Sequence, residues 1–217
     1  MATDETCTKI ADAAGRIFAE KGYRDATVRE ICQAADVGLA SVNYHFRDKQ
    51  QLYARVVEIA FDYVREHRPP PPDPPAGTPV DDWIRGLILD LTQHVLRDKD
   101  DSWQDQLVTR EVNDPTPACQ DLIRSRITDY LGSLFRAFDV VFPPETPAHV
   151  RWRFAFSIMG QCMFYDVHRS LLRLLVPDES DGPPYQIGQL SEHISRVCLA
   201  ALGLAPPLTK REAGGEQ

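Results

Sequence analysis

No stretch of this chain is apolar for anything near the ~18 residues that a membrane-spanning helix needs. Its first residues, MATDETCTK, are acidic and polar, without the basic start and apolar run of a secretory signal. These two absences predict a cytoplasmic protein with no membrane attachment. Cysteine pairing is missing as well. Cys7, Cys32, Cys119, Cys162 and Cys198 are scattered, odd in number and free of any C-x-x-C spacing, which predicts reduced thiols acting mostly as small buried hydrophobes, with redox sensing as the alternative. His149, His168, His193 and Cys162 show no metal-ligand spacing, so no metal site is predicted. A phosphate-cradling glycine loop and a nucleophile triad are also lacking, and no catalytic residues, cofactor or enzymatic activity are expected. Positive charge is scarce. The net charge is −8; residues 1–68 hold 10 Lys and Arg against 11 Asp and Glu, and the rest hold 14 against 21. Neither part can coat nucleic acid by bulk charge, so any binding to it must use a few well-placed cations.

What remains is an ordinary globular composition, 43% hydrophobic and 26% charged over 217 residues, room for a small domain and a larger one. Strand-like alternation is absent and the chain reads as all-α. Its clearest boundary is HRPPPPDPPAGTP at 67–79, with seven prolines between Pro69 and Pro79. Proline supplies no amide to a helix interior, so the preceding helix must end near Arg68 and the stretch itself should be extended and stiff. It reads as a linker, with a partner-recognition motif as the alternative. The predicted domains are 1–68, a linker over 69–79, a helical domain over 80–205 and a flexible tail over 206–217.

Before the prolines, Ile10, Ala14, Ile17 and Phe18 share one helix face, and Lys21-Gly22 forms a stop. Thr27-Val-Arg-Glu30 has the form of a capping box opening a short helix over Val28, Ile31 and Ala35. A turn at Asp36-Val37-Gly38 leads to a second short helix, about Leu39–His45. Asp48-Lys-Gln-Gln51 then caps a longer one through Leu52, Val56, Ile59 and Tyr63. Two short helices joined by a tight turn and braced on both sides suit a helix-turn-helix. In the second, Val42 and Phe46 can pack inward with Ile31, leaving Ala40, Ser41, Asn43, Tyr44 and His45 outward. Five further helices are predicted after the prolines, at about 80–98, 102–112, 117–141, 147–175 and 187–203.

The run Ala13-Ala14…Phe18…Gly22-Tyr23, then Thr27-Val28-Arg29-Glu30-Ile31, then Asn43-Tyr44-His45-Phe46-Arg47-Asp48-Lys49…Leu52-Tyr53 resembles the DNA-binding head of the TetR family of regulators, over about residues 5–60. With TREVNDPTPA at 109–118, the chain also resembles a subgroup associated with regulating drug-efflux transporters. The family likeness implies that 1–68 is a helix-turn-helix DNA-binding domain and that 80–205 binds an effector and dimerises. It implies a DNA-contacting set of Thr27, Arg29, Gly38, Ser41, Asn43, Tyr44, His45 and Lys49. Ser41 and Asn43 would read base edges, Tyr44 and His45 would meet phosphates or thymine methyls, Thr27 and Lys49 would hold phosphate, and Arg29 would reach either. Three positions depart from the family pattern: Asp36 where glycine is common in the turn, Gly38 where serine or threonine usually caps the recognition helix, and Leu39 where a lysine often follows.

For the C-terminal half the resemblance implies a four-helix dimer interface with a second copy. It would be drawn from Phe154, Ile158, Gly160, Cys162, Tyr165, Leu172 and Leu175 on one helix and Ile187, Leu190, Ile194, Val197, Ala201 and Leu204 on the other; ordinary intrachain core is the alternative. It also implies an effector pocket, with Trp103, Phe135, Phe138, Met159, Met163 and Phe164 as apolar lining and Gln106, Arg110, Gln161 and His168 as polar contacts. The expected function is a homodimeric repressor that leaves a near-palindromic double-stranded operator when a small apolar molecule binds. A rival is an effector-independent DNA organiser.

Overall fold

In the computed structural model, residues 2–96, 102–175 and 186–206 are described, with side chains from residue 5 onward. They form eleven helices and no strand: α1 (Ala2–Asp25), α2 (Val28–Ala35), α3 (Leu39–Phe46), α4 (Lys49–His67), α5 (Val80–Leu96), α6 (Trp103–Asn113), α7 (Gln120–Tyr130), α8 (Gly132–Val141), α9 (Ala148–Val167), α10 (Arg169–Leu175) and α11 (Ile187–Ala201). The all-α expectation holds among the described residues. The tail expected over 206–217 lies, beyond Pro206, outside them, as do residues 97–101 and the turn expected over 177–184.

Packing divides the chain into two compact units, residues 1–70 with 99–130, and 71–98 with 131–217. One boundary falls inside the proline stretch, between Pro70 and Pro71, but α6 and α7, which follow it in sequence, fold with the first unit. The reason is visible in their inward residues. Trp103 and Leu107 of α6, with Cys119 and Ile123, complete a core built from Ile10, Ala14, Phe18, Ile31, Val42, Phe46, Leu52, Tyr53, Val56 and Ala60. Each large side chain removed from water there contributes roughly 1.5–3 kcal/mol, so α6 and α7 add to what the two short and two long helices before them bury. Polar latches reinforce this packing. Arg68 Nη2 meets Asp105 Oδ2 at 2.6 Å, both largely buried, Trp103 Nε1 donates to Asp12 Oδ1 at 3.0 Å, and Arg126 Nη2 meets Asp62 Oδ1 at 2.5 Å.

The second unit is organised around α5, which packs against α8, α9 and α11. Ile84, Leu87, Ile88, Leu91 and Leu96 give α5 its buried face, and Thr92 beside them satisfies its hydroxyl on Ile88 O at 2.6 Å. Phe138, Ala155, Ile158, Cys162, Ile194 and Leu199 close the core. The first residues of this unit are the proline stretch, held by its one acid: Asp73 accepts from Ser133 Oγ at 2.8 Å and from Arg136 Nε and Nη2 at 3.0 and 2.8 Å.

Two helices expected as single elements are broken. The 117–141 segment divides at Leu131, next to Gly132, a poor helix former, and that break is also one of the places where the chain passes between the two units. The 147–175 segment divides at His168 (φ −108°, ψ 25°). Cys32, Cys119, Cys162 and Cys198 are buried and Cys7 is half-buried, all as free thiols.

Candidate nucleic-acid interface

The first short helix begins where the sequence places it. Thr27 is extended (φ −116°, ψ 146°); its Oγ1 accepts from Glu30 N at 3.2 Å, and its own amide donates to Glu30 Oε2 at 2.9 Å. The Thr27 hydroxyl proton is given to Glu30 Oε2 at 2.9 Å, and Lys21 Nζ donates to Oε1 at 2.8 Å. The Lys21 hydrogen bond, followed by those from the Thr27 side chain and amide, pulls the Glu30 carboxyl down to about 2. Since that hydroxyl is occupied, what the α2 start presents to an anion is the pair of first-turn amides of Val28 and Arg29, whose N–H groups have no partner within the helix.

Asp36 ends α2 in the left-handed region (φ 54°, ψ 47°), its amide pointing back to Cys32 O and Gln33 O, with Val37 N on Cys32 O at 3.0 Å. Aspartate tolerates this conformation better than most non-glycine residues, which is how the turn closes without glycine. Gly38 then opens α3 at φ −77°, ψ 156°, with no side-chain cap.

α3 divides by face as its pattern predicts. Val42 and Phe46 are 1% and 6% exposed, whereas Leu39 and Tyr44 are 57% and 77% exposed. Ala40 and Asn43 are exposed beside them, and Ser41 and His45 are half-buried. The Tyr44 ring sits edge-on to His45 at 5.1 Å between centroids. Beyond Phe46 the chain reverses at Arg47 (φ 62°, ψ −52°), where Asp48 N bonds Phe46 O at 2.6 Å, and Asp48 Oδ1 caps α4 by accepting from Gln51 N at 2.8 Å. Lys49 reaches back across this corner. Its ammonium donates to Arg24 O at 3.2 Å and lies 4.7 Å from the centre of the Tyr23 ring, so it ties the start of α4 to the end of α1, close to the amide-bearing start of α2. Thr27, Arg29 and Gly38 are exposed and Lys49 is half-buried.

The expected effector residues are divided between the two units. Trp103, Gln106 and Arg110 fall in the first unit, and Phe135, Phe138, Met159, Met163, Phe164 and His168 in the second. Trp103 is committed to Asp12 and lies against Gly15, where an added Cβ would come within 2.5 Å of the indole. Arg110 Nη2 covers the Ala19 and Glu20 carbonyls at 3.4 and 3.3 Å, the end of α1's straight portion before it turns at Gly22 (φ 78°); Gln106 is exposed. In the second unit Phe138 is buried and Phe135 and Met159 half-buried, with Phe135 against Trp152 at 4.6 Å and Phe142 against Phe138 at 5.4 Å. Gln161 Nε2 donates to Cys198 Sγ at 3.4 Å. Met163 and Phe164 are 36% and 45% exposed, not interior, and His168 stacks on Phe164 at 4.5 Å.

These exposed residues belong to a longer apolar stripe: Phe156, Gly160, Met163, Phe164 and Val167 on α9, then Leu171, Leu174 and Leu175 on α10. Of the residues expected at a dimer face, only Gly160 and Leu175 belong to this stripe. Ile158, Cys162, Leu190 and Ile194 are buried against their own unit, because α11 packs on α5 and turns its larger apolar residues there; Phe154, Tyr165, Leu172, Ile187, Val197 and Leu204 are half-buried, and of the residues expected only Leu175, Gly160 and Ala201 are exposed.

One cluster has no counterpart in the sequence expectation. Glu111, fully buried on α6, accepts from Tyr53 Oη at 2.5 Å through Oε1 and from Thr116 N and Oγ1 at 3.1 Å through Oε2. Burial, then the bond to Glu111, raises the Tyr53 phenol far above its usual range, keeping it a donor. The signal was there: Trp103, Leu107 and Glu111 recur at i, i+4 and i+8, so the glutamate continues an inward stripe.

A buried three-helix brace presenting a short polar helix, with helix starts and cations at its margins, defines a DNA-binding protein of the helix-turn-helix class. Residues 10–56 match the bacterial regulatory proteins of the tetR family, and residues 81–202 match the C-terminal domain of the HTH-type transcriptional dual regulator CecR. The chain belongs to the TetR family of transcriptional regulators, with a CecR-type C-terminal domain. Curated relatives include the biofilm operon icaADBC HTH-type negative transcriptional regulator IcaR of Staphylococcus aureus (strain Newman), 39% identical over 56 residues, 26% of this chain and 30% of that one. IcaR of Staphylococcus epidermidis is 38% identical over 55 residues, again 30% of its length. The match thus spans under a third of these relatives. Similar solved structures include a Rhodococcus sp. Rha1 transcriptional regulator (TM-score 0.59, 16% identity, 90% of this chain and 96% of that one) and Salmonella enterica GusR (0.55, 16%, 92% and 96%). AibR, solved with isovaleryl coenzyme A and operator DNA, has a TM-score of 0.52 at 16% identity, over 88% of this chain and 97% of that one. Among the described residues no helix is long and apolar enough to cross a membrane.

Proposed function

We propose that this DNA-binding regulator is a homodimeric repressor that releases a near-palindromic operator when a small apolar ligand binds its C-terminal unit. The observation that carries the proposal is the division of α3: two inward anchors, Val42 and Phe46, leave Ala40, Ser41, Asn43 and Tyr44 on an uncommitted outer face beside the α2 amides and Lys49. Asn43, whose amide both donates and accepts, and Ser41 read base edges; Tyr44 and His45 meet phosphates or thymine methyls. Arg29, Lys49 and the amides following Thr27 hold backbone phosphate, and Gly38 brings α3 close to the groove. Two such heads engage successive major grooves about 34–36 Å apart.

The exposed stripe on α9 and α10 supports the second copy, since Gly160 has nothing within 4 Å of where a Cβ would stand and so permits close helix approach. A negative regulator among the relatives and an operator-bound, ligand-bound structure of the same fold support repression and release. The effector reading now rests on the second-unit residues Phe135, Phe138, Met159 and His168, since Trp103 and Arg110 are occupied within the head. Control of a drug-efflux gene, suggested by residues 43–53 and 109–118, is the finer part of the same reading.

The test is a gel shift on the DNA upstream of the protein's own gene, with Asn43→Ala and Lys49→Ala alongside. Asn43→Ala should lose discrimination between operator and random DNA, and Lys49→Ala should weaken both alike. Absence of a sequence-specific complex at moderate salt refutes the proposal. Val167→Asp should halve the mass seen by sedimentation if the stripe is the dimer face, and a library of apolar ligands that leaves the melting temperature unmoved would favour the effector-independent organiser.

A further inference from the structure

We infer that Arg47, the residue joining α3 to α4, is a phosphate anchor that the fold aims by holding its backbone in a strained turn. The inference rests on the DNA-binding reading of α3. Arg47 sits at φ 62°, ψ −52°, and the bond from Asp48 N to Phe46 O at 2.6 Å closes a three-residue γ-turn around it. That version of the γ-turn is rare and disfavoured for any residue with a Cβ. Asp36, the other non-glycine residue at positive φ among those described, is a short polar residue in an ordinary left-handed helix cap; Arg47 is neither.

The surroundings show why the turn cannot relax. Phe46, one residue before it, is locked in the core at 6% exposure, and Asp48, one residue after, is fixed as the cap of α4 by the 2.8 Å bond from Gln51 N. With both neighbours pinned, one residue must reverse the chain. An asparagine or glycine would do so at less cost, yet an arginine stands there, exposed, and its guanidinium makes no hydrogen bond or ion pair among the described residues. The other cation of this corner, Lys49, already has its ammonium on Arg24 O and the Tyr23 ring. Arg47 is therefore the uncommitted cation at the C-terminal end of the recognition helix, on the corner it shares with Lys49. The guanidinium fork suits two oxygens of one phosphate. A phosphate held at this end of α3 would restrain the tilt of the helix in the groove, and in a head whose 10 Lys and Arg do not outnumber its 11 Asp and Glu one such contact matters more than in a basic domain.

The experiment uses the full chain with two variants. Arg47→Gln keeps the Cβ and the strain and removes the charge. It should weaken operator and random DNA by the same factor, roughly five- to tenfold at 0.1 M salt, and lower the slope of log K against log salt by about 0.9 for each head bound. Its melting temperature should stay put. Arg47→Gly removes the strain as well: it should bind DNA as weakly as Arg47→Gln while melting roughly 2–4 °C higher. Wild-type affinity and slope in Arg47→Gln would overturn the anchor, and a lower melting temperature in Arg47→Gly would overturn the strain; in both cases Asn43→Ala would still lose discrimination and leave the head reading intact. If the wild-type chain itself forms no salt-dependent complex with DNA, the head reading and the anchor fall together.

Discussion

Tyr53→Phe removes one oxygen atom from the middle of the head and nothing else. The ring stays, wedged edge-on against Phe18 at 4.7 Å and beside Tyr23 at 4.9 Å, so no cavity opens and no apolar area is lost. What disappears is the donor to Glu111 Oε1 at 2.5 Å, and Glu111 has no exposure through which water could replace it. A hydrogen bond to a buried carboxylate contributes about 1.5–3 kcal/mol, and leaving its acceptor unmet costs about the same. The substitution should therefore destabilise the chain by about 2 kcal/mol. For a chain of this size that lowers the midpoint of thermal unfolding, followed by far-ultraviolet circular dichroism, by about 4–8 °C. Glu111→Gln keeps the shape and can still accept from Thr116 while its amide donates to the phenol, so it should cost less, about 1 kcal/mol, because neutral bonds are roughly half as strong as charge-assisted ones. The double variant should cost less than the sum of the two by about 1 kcal/mol, since both singles disrupt the same contact. Strict additivity, or a Tyr53→Phe chain that melts with wild type, would show that the phenol and the carboxylate do not hold each other and that α6 is tied to the head by apolar packing alone.

Gly15→Ala should destabilise the head by about 1–3 kcal/mol, because the new Cβ would sit 2.5 Å from an indole that is itself anchored on Asp12; an unchanged urea midpoint would contradict the close approach. The Glu30 carboxyl, held near 2 by Lys21 and Thr27 against an ordinary 4.5, has a folded pKa below its unfolded one. Its contribution to stability is thus present above about pH 4.5 and is lost as the pH falls towards 2. Glu30→Gln should flatten that part of the acid-unfolding curve, and a curve parallel to wild type would remove Glu30 from the list of acid-sensitive groups. Gly38→Ser places a hydroxyl at the bare start of α3, in a conformation any L-residue can take and with no atom within 4 Å. It should add about 0.5 kcal/mol of stability and slow hydrogen exchange in the first turn of α3; faster exchange there would mean that the serine does not cap.

What could be read from the sequence follows the range over which each signal acts. The capping box at Thr27, the cap at Asp48 and the inward pair Val42 and Phe46 are local: a hydroxyl three residues from an amide, two apolar residues four apart. Their physics is complete within one turn of helix, and the structure has them as the residues imply. The surroundings of Trp103 and Arg110 were illegible for the opposite reason. Trp103 and Arg110 look like a large apolar group and a polar contact awaiting a ligand, until α1 supplies a glycine to receive the indole and two carbonyls to receive the guanidinium, from about 90 residues earlier in the chain. Which side of α9 stays exposed was illegible for a narrower reason. On α9 the spacing of apolar residues is nearly continuous round the helix, so Ile158 and Cys162 on one side and Met163 and Val167 on the other are equally apolar, and only the position of α5 decides which side is covered. Arg47 lies between these cases. Its identity is ordinary and its neighbours' roles were legible, yet the strain exists only because Phe46 and Asp48 are fixed at once, leaving a single residue to turn the chain. Two local signals that are each satisfied can therefore impose a cost on the residue between them, and that residue is where a functional reason for the cost should be sought.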